Sequence, residues 1–254
     1  MRYFCNQSSG TMGRCSWAVL VLAVLMLSGC ATGPNANLRD PLEPFNRGMY
    51  QFNDTVDRAV VKPVATVYRD VLPSPVRTGV TNFFGNLQDA WSFVNNSLQL
   101  KGEAAGNSLM RFSVNTFLGF GGLLDIASEM RIERRTEDFG QTLGHWGVGA
   151  GPYLVLPLLG SSTLRDTAAL PVDAQGNLVS GVGDVPTRNS LTALSLLNRR
   201  ARLLDASSIL DQVALDSYTF TRDAFLQRRQ NDVYDGYPPD DVDPVDMING
   251  DSVK

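Results

Sequence analysis

A chain of 254 residues with 26 acidic and 22 basic side chains is mildly acidic, which does not suggest a nucleic-acid binder, whose contacts need a basic face. One histidine and three cysteines supply no clustered metal ligands and few catalytic bases. At 43% apolar residues the chain has material for one domain with a real core.

Residues 1–29 read as a secretory leader, with Arg2 and Arg14 as its basic start, an apolar stretch from Trp17 to Leu27, and small residues after it. Leu27-Ser28-Gly29-Cys30 matches a lipobox. In that motif the cysteine thiol receives diacylglycerol, the peptide is cut before it, and the new amine is acylated. The plainer alternative is an ordinary leader or membrane anchor with a chance cysteine. Ala31 in place of aspartate implies, by the enteric sorting rule, passage to the outer membrane of a Gram-negative cell. Three acyl chains anchor durably where one does not, since each buried methylene contributes about 0.8 kcal/mol. Cys5 and Cys15 leave with the leader and Cys30 is blocked by lipid, so no disulfide is expected. No cofactor is expected beyond this covalent lipid.

Losing Arg2 and Arg14 takes the formal charge from −4 to −6. Seven aspartates against Lys254 in residues 231–254 account for all of it, leaving residues 30–230 balanced at 19 bases and 19 acids. Residues 30–39 read as a linker, residues 40–230 as one domain, and residues 231–254 as an acidic disordered tail.

The domain reads as helices, an all-α fold with no significant sheet. Asp40-Pro41-Leu42-Glu43 predicts a helix start with Asp40 as N-cap, and Pro63 its end. From Ser74, the residues Val76, Val80, Phe83, Leu87, Ala90, Val94 and Leu98 form one apolar stripe. Residues 102–118 are apolar nearly all round, which fits either deep burial or a lipid surround. The aromatics Phe45, Tyr50, Phe52, Phe83, Phe84, Trp91 and Phe93 at helical spacing are expected in the core, with the headgroup level of a membrane the alternative for some of them in a lipid-anchored protein. Two late helices span 190–229, with Leu191, Leu194, Leu197, Ala201 and Leu204 facing inward on the first and Phe220, Ala224 and Phe225 on the second. Residues 171–189 read as a long linker.

The stretch from Ile132 to Asp166 organises the rest. It carries Gly140, Gly144, Gly147, Gly149 and Gly151, then an apolar run from Tyr153 to Leu159 bracketed by Pro152 and Pro157. Glycine this dense predicts a bent, closely approached loop rather than a regular element. The run is too short to cross a bilayer. In a membrane-tied protein it can instead lie in lipid or line a lipid path.

Catalytic signals are weak. His145 stands alone, there is no Gly-x-Ser-x-Gly elbow, and Gly147-Val148-Gly149-Ala150-Gly151 follows no strand pattern of a nucleotide loop. Asp70, Arg111, Asp125 and Arg165 are read as buried or capping ion pairs, with lipid-headgroup contact the alternative.

Several runs together resemble the MlaA/VacJ family of outer-membrane lipoproteins. They are Asp40-Pro41-Leu42-Glu43 with Phe45-Asn46-Arg47, Asn82-Phe83 with Asn86-Leu87, Arg111-Phe112 with Asn115, and Gly119 to Asp125. Glu137 to Pro157 and Arg202-Leu203-Leu204-Asp205 complete the set. The resemblance implies a ring-shaped helical lipoprotein in the inner leaflet of the outer membrane, with a central amphipathic channel and a trimeric porin as partner. It implies removal of phospholipids misplaced in the outer leaflet and their transfer to a periplasmic shuttle protein, which maintains lipid asymmetry without covalent chemistry. Under it Cys30 is the anchor, Phe45 and Asn46 set membrane depth, and Gly147, Gly149, Gly151, Leu154, Val155, Leu156 and Leu158 form or gate the channel wall. The competing classes are a structural lipoprotein that braces a porin or the envelope, and a lipid-modifying enzyme dependent on His145 or a buried carboxylate. One departure is Asp216-Ser217-Tyr218 where the family commonly has Asp-Pro-Tyr.

Overall fold

The computed structural model describes residues 40–239; the leader, Cys30, the linker to residue 39 and tail residues 240–254 lie outside them. The first helix, α1 (Glu43–Val56), starts later than expected, with Leu42 at its N-cap and no side-chain cap. Asp40 is buried and gives its carboxylate to Asn46, Tyr218 and Arg222 instead. A buried charge gains more from such partners than from one helix N–H. Nor does Pro63 end the helix. A π-helical turn, Asp57–Val61, carries it into α2 (Lys62–Val71). Proline lacks an N–H and crowds the carbonyl one turn back, and the wider π turn absorbs that mismatch.

Helices α3 (Ser74–Leu98) and α4 (Gly102–Phe117) pack along each other across a turn at Leu100. Asp125 caps the short α5 (Ile126–Glu129) by accepting from Ser128 N–H. The glycine-rich stretch is more regular than predicted. Asp138 accepts from Gln141 N–H at 2.8 Å and starts α6 (Phe139–His145). The chain then pairs β1 (Tyr153–Leu156) with β2 (Gly160–Thr163) in an antiparallel hairpin, Tyr153 opposite Thr163. Tyr153 and Val155 are buried and Leu154 and Leu156 half-buried, so both faces are apolar and the strand period is hidden. This hairpin is the one sheet among the described residues, and the fold is all-α around it.

The expected 171–189 linker shrinks to 177–184, because α7 (Leu164–Gly176) runs through Pro171. Tertiary bonds hold it past the missing donor: Trp91 Nε1 and Phe139 N–H each donate to Asp173 at 2.8 Å. Helices α8 (Val185–Arg202), α9 (Leu204–Val213) and α10 (Ser217–Val233) follow. On α10 the inward residues are Tyr218, Arg222, Phe225 and Arg229; Phe220 is exposed, contrary to the expected inner face. Val233 is buried and Asp235 pairs with Lys101 at 2.5 Å, so the first residues assigned to the tail belong to the body.

The packing closes a circuit. Helix α2 packs on α8, α8 on α3, α3 on α6, α6 on α10, α10 on β2, and β1 returns to α1. This closed helical course is the ring the fold class calls for.

Its polarity is inverted. The buried face of α3 is Asn86, Asp89, Ser92, Asn95 and Asn96, with Gln99 at its C-cap, and that of α4 includes Ser108, Arg111 and Asn115. The apolar stripe of α3 is half-buried or exposed, and Leu109, Met110, Phe117 and Leu118 of α4 face outward, Phe117 at 84% exposure. Phe45 and Phe52, expected in the core, are 52% and 47% exposed. Apolar clusters inside are small: Ala65, Ala201 and Leu204 in one, Tyr153, Val155 and Tyr218 in another. Among the described residues no helix is long and apolar enough to cross a membrane.

Candidate functional site

Helix α1 has three faces with three different tasks. Arg47, Gln51 and Asp54 share one face of α1, which Arg58 of the π turn continues, the four recurring at four, three and four residues. With Tyr50 they line a cleft of about 430 Å³ whose other wall is Leu215, Asp216, Ser217 and Tyr218. Phe45 and Phe52 lie on the roughly opposite, exposed face. Asn46 and Asn53 mark the third, which meets the hairpin.

The cleft is amphipathic. Arg47 donates to Asp216 Oδ2 at 2.7 Å and to Glu43 Oε1 at 2.7 Å, and its guanidinium sits 4.4 Å from the Tyr218 ring centroid. The hydrogen bond from Arg47, then that from Thr219, holds the Asp216 carboxyl far below the usual carboxylate range. Asp216 also caps α10, accepting from Tyr218 and Thr219 N–H, so this helix starts without the proline of the related motif. Arg58 pairs with Asp54 at 2.9 Å. Leu215, fully exposed, adds an apolar rim.

Behind the cleft the interior is held by charge networks. Arg229 grips Asp138 with two bonds of 2.7 Å and Asp166 with bonds of 2.8 and 3.0 Å, tying α10 to the starts of α6 and α7. Burial opposes the Arg229 cation, but Asp138 and Asp166 outweigh it and raise its pKa. Arg111 joins Asp125 at 2.7 Å and lies 3.4 Å from Asp89 without hydrogen-bond alignment at Nε. Burial pushes the Asp89 pKa up despite Arg134 and Arg111. Burial also works on Asp125, yet bonds from Ser128 and Asn115 and the Arg111 charge bring it down to about 2. Arg165 pairs with Asp166 at 3.0 Å, while Asp70 pairs with Arg69 on the surface. The reading of buried or capping ion pairs thus fits Arg111, Asp125 and Arg165, but not Asp70, which is exposed.

The predicted residues separate. Cys30 lies outside the described residues. Phe45 is exposed, whereas its neighbour Asn46 is wholly buried and cannot meet lipid. Gly147 and Gly151 adopt φ +88 and +67, the left-handed region that favours glycine, on either side of Gly149. Leu154 and Leu156 are half-buried and Leu158 is exposed at the hairpin tip with φ +62. Val155, expected in the channel wall, is buried against Tyr153 and Tyr218 because strand pleating turns it inward. His145 is exposed at the last turn of α6. Among the described residues no group of His, Cys, Asp or Glu is placed to hold a metal ion. The reading from sequence missed Asp54, Arg58, Asp216 and Asn53. The four-three-four charged spacing and the seven-residue interval from Asn46 to Asn53 were the available signals.

Large apolar side chains exposed around a polar, ion-paired interior, with an amphipathic cleft beside it, set this helical protein apart from one with an ordinary apolar core. The comparisons with known proteins agree. A sequence model of the MlaA lipoprotein family matches residues 38–232, and the chain belongs to that family. It is 42% identical over 217 residues to the intermembrane phospholipid transport system lipoprotein MlaA of Shigella flexneri, covering 83% of this chain and 86% of the relative. The protein of the same description from Escherichia coli strain K12 is 41% identical with the same coverage, and that of Haemophilus influenzae 34% over 226 residues, covering 85% and 89%. A solved structure described as the structural basis for maintenance of bacterial outer membrane lipid asymmetry is 37% identical, with TM-score 0.68, over 76% of this chain and 98% of that one.

Proposed function

We propose that this chain is the lipoprotein of an intermembrane phospholipid transport system and maintains outer-membrane lipid asymmetry. It takes phospholipids misplaced in the outer leaflet and passes them to a periplasmic shuttle protein, beside a trimeric porin. Acyl chains on Cys30 hold it in the periplasmic leaflet. The observation that carries this reading is the inverted polarity: exposed Phe45, Phe52, Phe117 and Leu118 against buried Asn86, Asp89, Asn96 and Arg111.

The physical task is to move a charged headgroup past hydrocarbon, where an unpaired charge is very costly. A path with polar groups on one side and apolar groups on the other lets the headgroup exchange partners while the tails stay in apolar surroundings. The cleft under α1 offers both, with Arg47 and Arg58 for phosphate and Tyr50 and Leu215 for aliphatic contact. In this reading the Gly147–Gly151 segment and the leucines of the hairpin, on another face of α1, form an adjustable wall of the lipid path. No covalent bond changes, and His145 is not required.

The test is lipid exposure in cells lacking the protein, read with an amine-reactive, membrane-impermeant probe. Exposure is expected to rise, to be restored by the wild type, and not by Cys30→Ala. Unchanged exposure would overturn the transport reading in favour of envelope bracing. Loss of rescue by His145→Ala would instead point to lipid-modifying chemistry.

A further inference from the structure

A two-stranded hairpin is barely stable by itself and leaves an unpaired edge on each strand. The outer edge of β1 is not left open. Asn46 Nδ2 donates to the Tyr153 carbonyl at 2.9 Å, and Asn46 Oδ1 accepts from Val155 N–H at 2.9 Å. One step further, Asn53 Nδ2 donates to the Leu156 carbonyl at 2.9 Å, and Asn53 Oδ1 accepts from Leu158 N–H at 2.7 Å. Each side-chain amide bonds a carbonyl and the N–H two residues on, as the peptide of a neighbouring strand would.

The spacings match. Seven residues of α-helix rise about 10.5 Å, and three residues of strand span about 10 Å. Two asparagines two turns apart therefore reach the open edge of β1, at Asn46, and the turn that follows the strand, at Asn53, since an odd step of three residues leaves the edge that Tyr153 and Val155 share. Asn46 is itself fixed, since its Nδ2 also donates to Asp40 Oδ1 at 2.8 Å. Asn53 is half-buried, near the turn that carries Pro157 and the exposed Leu158 and Leu159.

We propose that Asn46 and Asn53 are positioning residues, a two-rung side-chain ladder that sets where the hairpin stands against the first helix. Asn46 is the fixed rung and Asn53 the releasable one. Because Phe52 on the exposed face adjoins Asn53, the helix that meets lipid also holds the hairpin. The functional half of this inference rests on the reading that the hairpin borders a lipid path.

Hydrogen exchange of the purified full-length lipoprotein in lipid nanodiscs tests it. In Asn53→Leu the Leu158 amide is expected to exchange about fivefold faster, the value of one hydrogen bond, with a smaller rise at Val155. Amides of α3 and α4 serve as the folding control and should not change. Asn46→Leu should release both amides. In cells, Asn53→Leu should raise surface phospholipid toward the level of cells lacking the protein, with its melting temperature nearly unchanged. Unaltered exchange at Leu158 and Val155 would overturn the ladder. Faster exchange with intact asymmetry would overturn its positioning role, while the transport reading, tested by wild-type rescue, would stand.

Discussion

Arg111 is where the cost of a polar interior is concentrated. It is 1% exposed and faces two carboxylates, Asp125 and Asp89, while Asn115 joins Asp125 to the start of α5 through Ala127 N–H. Removing one member of a buried pair strands the other, so Arg111→Met is expected to cost about 3–5 kcal/mol, measured by thermal or denaturant unfolding in detergent. The pH dependence follows from Asp125, whose folded pKa of about 2 lies below its unfolded value of 3.8. A depressed carboxylate contributes stability above its unfolded pKa and loses it as pH falls through the folded one. Asp125→Asn should therefore flatten the stability profile between about pH 4 and pH 2, and an unflattened profile would remove Asp125 from the acid response. At Gly151 a side chain meets both a φ of +67 and Leu164 Cβ at 3.0 Å. Gly151→Val is expected to cost about 1–2 kcal/mol or more and to impair lipid asymmetry. Intact asymmetry in that variant would discard the gating role of the glycine segment.

At the scale of elements, the sequence made periods legible but not the direction they face. The stripe from Val76 to Leu98 is real, yet α3 buries its other face, from Asn86 to Asn96. A period reports that a helix has two kinds of surface, not which of them turns inward. The same ambiguity was open for residues 102–118, and Ala105, Ser108, Arg111 and Asn115 resolve it. Pro63 and Pro171 misled for a different reason: a π turn and the bonds at Asp173 compensate each proline, and neither is visible in local sequence. The hairpin was hidden because Tyr153 to Leu156 are apolar on both faces. Asn46 was legible as part of a motif but not as a strand partner, since its bonds reach residues 107 and 109 positions away. An element-scale test is Phe52→Glu. It should leave helix content in detergent unchanged by circular dichroism yet weaken retention in lipid vesicles; unchanged retention would place Phe52 away from lipid.

For the whole molecule, transport requires that hydrocarbon solvate the outside of the ring and that water and headgroups fill the α1 cleft. The direct measurement is collisional accessibility of single spin labels in the protein reconstituted into bilayers. The mature chain is expected to keep Cys30 alone, blocked by lipid, so introduced cysteines would label uniquely. Labels at Phe52, Phe117 and Val64 should be relaxed by oxygen, which concentrates in hydrocarbon. Labels at Gln51 and Arg58 should be relaxed by a water-soluble nickel chelate. If the exterior positions answer to nickel and the cleft positions to oxygen, the exposed apolar face does not meet lipid and the transport account loses its physical basis.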